Sequence, residues 1–355
     1  MIAFEDYVYY PTLRSRPAEM LGYKNLSSGA KAELLPLFTL GLWPRQSSLS
    51  ESINNAVDAA GGKPFIVDLA RDPLYQTSDL KELLDSGDGF SKWRKFVAKM
   101  ENVIPVVQIP SGARYPQIIK QTRALASSGL ERVAFRITNY REETTRVVTA
   151  LSALDDPQQA ITFIDLNYIR DSFAASVSAA ISVINDIREE VPEATICVLS
   201  TSFPSSVTAF LDARSLGTIG TIPILERDFY FEIGPDACIY GDHGSIHARP
   251  SSATGGRFTP RIDYPLIDAW EFERRPETDS KGFIDASNAI IKRFPEIIDD
   301  DYWGSKKIVD ASNGDIEGMK TPSAWIAARV NIHIHRQLEY SRLLQKDGEE
   351  DLDSE

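Results

Sequence analysis

Between Tyr7 and His243 the chain contains about eight short apolar runs, each closing on a polar residue. The runs end at Arg14, Thr39, Asp68, Gln108, Arg136, Asp165, Ser200 and Asp242, and most are separated by a segment with helical periodicity. A strand inside a parallel sheet is covered on both faces, so it is expected to be apolar nearly throughout. A polar residue that recurs only at the carboxyl end of such strands points to one shared, solvated mouth. That is where (β/α)8 barrels carry their chemistry. The expected fold is α/β, a (β/α)8 TIM-barrel-like architecture with a C-terminal extension.

The strand candidates span 8–14, 34–40, 64–70, 104–110, 132–138, 161–167, 195–201 and 237–243. Their starts lie roughly 25 to 45 residues apart, the spacing of repeated strand–helix units rather than hairpins. Segment 48–62 has Ser and Asn at its start, apolar Ile53, Val57 and Ala60, and Gly61-Gly62 as a stop. Segment 172–192 places Val177, Ile181, Ile184 and Ile187 on one stripe and ends at Pro192. After the eighth run, 245–276 is rich in Gly, Pro, Arg and aromatic residues and reads as a long ordered loop with short strands. Segment 283–298 reads as helical and 299–314 as a loop. The last helix is expected to start at Pro322 after a Thr321 cap, with Trp325, Ala328, Ile332 and His335 inward. The expected organisation is one barrel domain over 1–346, including the extension after about residue 250, and a disordered acidic tail over 347–355.

With 43% apolar and 25% charged residues, the composition is that of an ordinary globular protein. Six of the carboxylates behind the net charge of −13 sit in the tail, and discounting them leaves −7. Such a balance argues against general nucleic-acid binding, which calls for a basic face. Cys197 and Cys238 both fall in strand candidates and are expected to be buried thiols, with no disulfide or zinc framework. The start, MIAFEDYVYYP, lacks the basic and apolar regions of a signal peptide. No run approaches the ~18 apolar residues that span a bilayer. A cytoplasmic protein without membrane contact is expected.

Every second strand residue shares a face. Asp68 thus goes with Ile66, Asp165 with Phe163, Asp242 with Tyr240, Arg136 with Ala134, and Gln108 with Val106. A charge facing packed helices would be costly, so these residues are expected inside the mouth. Asp68, Asp165 and Asp242 can then act as general acid or base, or ligate a hard divalent cation, with His243 as a further proton carrier. Arg14, Arg16 and Arg136 can clamp a phosphate or carboxylate. Gln108, Asn167, Ser200 and Ser202 can orient a polar ligand. The competing reading of the same set is an Asp–Arg network that only satisfies itself. Thr254-Gly255-Gly256-Arg257, with Arg249 and Arg261 near in sequence, has the composition of an anion nest, or of an ordinary turn. The stretch 264–275, with Trp270, Glu271 and Arg274, can either cover the mouth as a lid or pack the barrel's edge. His247 follows His243, while His333 and His335 are read as structural or surface residues. No Walker loop, dinucleotide fingerprint, GxSxG elbow or HExxH occurs, and no metal site is assigned.

Several stretches together resemble the beta-protein family, known from a bacteriophage and from bacterial and mobile-element genomes. They are YYPTLRSRPAEML, LLPLFTL, STSFP, YGDHGSIHARP, PRIDYPLIDAWEFERRP and WIAARVNIHIHRQ, which in this order span all but the tail. The resemblance implies a barrel-like α/β fold and a setting in phage–host conflict, and it brings no reaction with it. Thr39 stands where the family's pattern suggests a carboxylate. Two functions remain open: binding of a small anionic, phosphorylated or nucleotide-like ligand at the mouth, with hydrolysis as its extension, or a non-enzymatic scaffold that engages a partner protein.

Overall fold

The computed structural model describes residues 2–44, 46, 48–249, 258–276 and 279–352. Two compact units divide the chain. The first comprises Met1–Arg16, Ala32–Thr201 and Glu226–His243, and the second Pro17–Lys31, Ser202–Leu225 and Gly244–Glu355.

Eight parallel strands form the first unit's sheet. Seven come in succession: β1 (Tyr10–Arg14), β2 (Leu37–Leu40), β3 (Phe65–Leu69), β4 (Val103–Pro105), β5 (Val133–Ile137), β6 (Ala160–Tyr168) and β7 (Thr195–Thr201). The next, β8 (Ile219–Pro223), belongs to the second unit, and β9 (Ile239–Asp242) completes the set. Neighbours run β4-β3-β2-β1-β9-β7-β6-β5. The two edges meet where Val106 bridges Ala134 in parallel and the Val107 amide donates to the Ala134 carbonyl at 2.8 Å. This is an α/β barrel-like fold, as the apolar runs imply.

Tyr10, Leu37, Ile66, Ile104, Ala134, Phe163, Cys197 and Leu199 belong to one buried cluster, which fills the strand faces turned toward each other. Strand β4 stops short of the run 104–110 because a side chain replaces its ladder. The Gln108 amide donates to Gln121 Oε1 and the Gln108 carbonyl accepts from Gln121 Nε2, both at 2.9 Å. Ser48 caps the helix Leu49–Ala60, and Gly61 at φ 61° ends it. That helix buries Ser52, Ala56, Ala59 and Ala60, whereas Val57 is 47% exposed. In the helix Phe173–Glu190 the buried stripe is likewise Ser176, Ala180, Val183, Ile184 and Ile187, with Ile181 outside. Small side chains let a helix lie close to the sheet, so the expected stripes are rotated.

The second unit holds an antiparallel sheet of β8, β10 (Arg261–Pro265) and β11 (Ala269–Arg274), ordered β10-β11-β8. Around its core stand the helices Pro17–Lys24, Gly282–Arg293, Trp303–Ser312 and Pro322–Leu352. The helix Trp303–Ser312 falls where a loop was expected. It buries Gly304, Ser305, Ile308 and Ala311, and a Cβ on Gly304 would stand 2.4 Å from the Ala328 carbonyl oxygen. Apart from Ile308 its inner face is made of small residues and so carries little hydrophobic periodicity. The last helix continues to Leu352, into the acidic stretch. Among the described residues no helix is long and apolar enough to cross a membrane.

Gly241 is a strand position where the barrel interior has no room for a side chain. A Cβ there would lie 2.5 Å from Leu199 Cδ2 and 2.8 Å from the Tyr10 carbonyl oxygen. Gly241→Ala is therefore expected to cost about 1–3 kcal/mol. Denaturant unfolding of the variant, with an unchanged m-value, checks this.

Candidate functional site

Toward the carboxyl ends of the strands the inward face turns from apolar to polar. Thr39, Asp68, Arg136 and Asp165 each follow by two residues a member of the apolar cluster, as Gln108 follows Val106. The Arg136 guanidinium holds them together. Its Nε and Nη2 both donate to Asp165 Oδ2, at 3.0 and 2.7 Å, while Nη1 donates to Thr39 Oγ1 at 3.1 Å and Asp68 Oδ2 at 3.2 Å. Asp68 Oδ1 accepts from the Leu69 amide at 2.8 Å and from Gln108 Nε2 at 3.1 Å. Asp165 Oδ1 accepts from the Asn167 amide at 2.9 Å and lies 3.0 Å from His243 Nε2. A continuous chain results: Gln108, Asp68, Arg136, Asp165, His243.

Both carboxylates of this chain are fully buried and Arg136 is nearly so. Burial by itself pushes the Asp165 carboxyl up, but His243 and Arg136 outweigh it and hold the group well below the usual carboxylate range. For Arg136 burial disfavours the charge, and Asp165 and Asp68 more than restore it, so its pKa is raised. Asn167 closes the loop on Asp165 at φ 56°, a left-handed conformation that Asn tolerates better than most residues. The register shift between Asp165 and Tyr168 makes room for it.

Arg14 pairs with Thr39 and Thr39 with Asp68 across β1, β2 and β3, which sets the three in one row. The Arg14 guanidinium lies 5.9 Å from the Trp43 ring centroid. Arg16 follows just past the strand, half-buried, its amide bonded to the Arg14 carbonyl.

Asp242 does not join this group. It alternates with Gly241, whose inward face meets Leu199, and points the other way with Tyr240. There the Tyr9 and Tyr240 hydroxyls donate to its two oxygens at 2.6 and 2.8 Å, and Arg227 lies 3.4 Å over the Tyr240 ring. The expectation that a carboxylate would avoid the helix-facing side fails because two phenols and a guanidinium compensate the buried charge. Ser200 faces outward too, between Leu199 and Thr201; its Oγ is buried without a partner among the described residues. Its carbonyl accepts from the His243 amide at 3.2 Å and so helps to place the imidazole.

A cleft of about 240 Å³ opens at the ends of β3 to β5, lined by Arg71, Gln76, Gln108, Ser111, Glu143 and Arg146 among others. Arg71 donates to Glu143 at 2.7 Å, Thr138 at 3.1 Å and the Arg136 carbonyl at 2.6 Å, with Nε 4.0 Å from Asp68. Arg146 holds the far wall through the Pro110 and Ser111 carbonyls, at 2.9 and 2.7 Å. Neither arginine was selected from sequence. Arg71 could have been, since it lies only three positions after Asp68, whereas Arg146 sits inside the helix Tyr140–Leu151 with nothing to mark it. Among the described residues no group of three or more His, Cys, Asp or Glu could hold a metal ion. Arg136 fills the position between Asp68 and Asp165 that a divalent cation would need.

The remaining candidates belong to the second unit. Ser202 Oγ accepts from the Leu225 amide at 3.1 Å. Trp270 is a core residue, edge-on to Phe203 at 5.1 Å and stacked on His333 at 5.7 Å. The stretch offered as a lid is thus a hairpin that buries Trp270 and Phe272. Arg261 pairs with Asp263, and His247 Nδ1 lies 2.9 Å from the Phe203 carbonyl. The Thr254–Arg257 nest lies outside the described residues.

Asp165→Asn leaves Arg136 short of one counter-charge, and breaking such a buried pair costs about 3–5 kcal/mol. Because the folded pKa of Asp165 is depressed, its contribution is present above the usual carboxylate range and lost as pH falls through and below it. Unfolding free energies measured across acidic pH are expected to show wild type and variant converging as pH drops, with the largest gap near neutrality.

A family model described as Beta protein matches residues 9–339. Protein beta of Enterobacteria phage P4 is 44% identical over 345 residues, covering 97% of this chain and 96% of that protein. No solved structure matches the chain. The chain belongs to the Beta protein family.

Proposed function

We propose that the barrel mouth of the first unit binds a small anionic ligand and that His243 exchanges a proton with it. One observation carries this reading: the His243 imidazole rests on Asp165, which Arg136 in turn pins from the other side. A carboxylate fixed behind an imidazole sets its orientation, an arrangement used in acid–base catalysis. The contact engages Nε2, and Nδ1 makes no hydrogen bond among the described residues. The guanidinium groups of Arg71 and Arg136 are matched by the carboxylates of Asp68, Asp165 and Glu143, and Arg14 stands in the same row as Asp68. A phosphorylated or nucleotide-like molecule would seat its anionic group by Arg71 and Arg14, with Gln108, Asn167 and Arg16 as further polar contacts. Proton transfer through His243 would then support hydrolysis of a phosphoester.

A specific observation favours a second reading, in which the barrel is a scaffold for a partner protein. Every oxygen of Asp68 and Asp165 already accepts a hydrogen bond from the protein itself. Such a network needs no ligand to be satisfied.

Thermal unfolding against nucleoside monophosphates, sugar phosphates and inorganic phosphate separates the two. A ligand at a hundred times its Kd adds about 2.7 kcal/mol of stability. His243→Gln and Arg71→Ala are expected to remove that response while melting close to wild type. A flat response to the whole panel, with a protein retained in stoichiometric amount through purification, would favour the scaffold.

A further inference from the structure

The second unit contains a cavity of about 310 Å³, lined by Ser206, Thr208, Phe258, Thr259, Arg261, Arg274 and Trp325 among others. Its charge is unusual. Arg261 and Arg274 are direct cross-strand partners of β10 and β11, and they sit on one face of the antiparallel pair. Like charges directly opposite each other destabilise a sheet. Arg261 has a counter-ion, with Nε 2.8 Å and Nη2 3.1 Å from the Asp263 carboxylate. That carboxylate is shared, because Arg329 Nη1 also donates to it at 2.6 Å. Among the described residues the Arg274 guanidinium makes no ion pair or hydrogen bond. Two arginines thus share one buried carboxylate while Arg274 stands opposite Arg261, and Arg329 Nε is itself buried without a partner.

The other walls suit a particular kind of anion. Ser206 Oγ and Thr208 Oγ1 lie 2.9 Å apart, and the hydroxyl of Thr259 lines the same space. Phe258 stacks on Phe283 at 5.8 Å, which in turn meets Trp325 at 5.4 Å, so an aromatic wall stands beside the cationic one. The volume is at the lower end of that found for small-molecule sites.

We propose that this cavity binds an organic phosphate. Its dianionic head bridges Arg261 and Arg274 and relieves their repulsion, the hydroxyls supply further donors, and a flat apolar body lies against Phe258 and Trp325. None of these residues contributes to the polar chain of the barrel mouth, so the proposal goes beyond the function assigned there.

Calorimetric titration of the full chain with phenyl phosphate, at fixed pH and ionic strength, tests it, with inorganic phosphate and phenol as controls. Phenyl phosphate is expected to bind more tightly than either control. Arg274→Gln should weaken it by about tenfold or more, while the ligand-free protein melts no lower than wild type because the cross-strand repulsion is gone. Arg274→Lys, which keeps the charge, should retain part of the affinity, and Arg71→Ala, which acts at the mouth, should leave a phenyl phosphate site that still depends on Arg274. Absence of binding to wild type, undiminished binding to Arg274→Gln, or loss of binding in Arg71→Ala would each overturn the proposal.

Discussion

A guanidinium buried between two carboxylates governs how the open end of the barrel is built. Arg136 can sit there only because Asp165 and Asp68 reach it from β6 and β3, strands that are not neighbours in the sheet. The requirement works in both directions. An uncompensated charge inside a barrel is costly, and each of the three side chains removes that cost for the others. Beneath them the layer of Ile66, Ala134 and Phe163 keeps water out, which strengthens every charge interaction above it. Well-packed apolar residues in the same positions would serve stability as well or better. What the polar layer adds is an imidazole held in one orientation at its end.

The strand-end pattern was legible because alternation is strict. Once β3, β5 and β6 are placed, Asp68, Arg136 and Asp165 must share the inward face with Ile66, Ala134 and Phe163. The same rule, applied to β9, needed one more fact, namely which of Tyr240 and Gly241 points inward. A glycine gives no hydrophobic signal, so the tyrosine looked like the interior residue and carried Asp242 with it. Only packing shows that Leu199 and Tyr10 crowd the glycine and that the outer face offers Tyr9 and Arg227.

Helical elements were harder to read for a related reason. In Leu49–Ala60 and Trp303–Ser312 the buried faces are mostly alanine, serine and glycine, with Leu49 and Ile308 the large exceptions, while Val57 lies outside. Hydrophobic periodicity therefore marked that the first helix exists but not which side it buries, and it missed the second. Arg71 and Arg146 were hidden differently. Their roles come from backbone carbonyls and from Glu143, partners that local sequence does not reveal.

The charge distribution gives the two units different characters despite one acidic chain. At a net charge of −13 the protein repels anions at long range. At physiological salt that field fades within about 8 Å, so any affinity for an anion has to be built from contacts. In the barrel mouth guanidinium and carboxylate groups balance, and selectivity would come from geometry around His243. In the second unit Arg261 and Arg329 share Asp263 and Arg274 makes no ion pair among the described residues, so attraction there would come from the charge itself. Sites of these two kinds respond to salt to different degrees. A balanced, buried network is little screened, whereas an excess of partly exposed arginines loses its pull as ionic strength rises, which makes salt dependence the property that tells them apart.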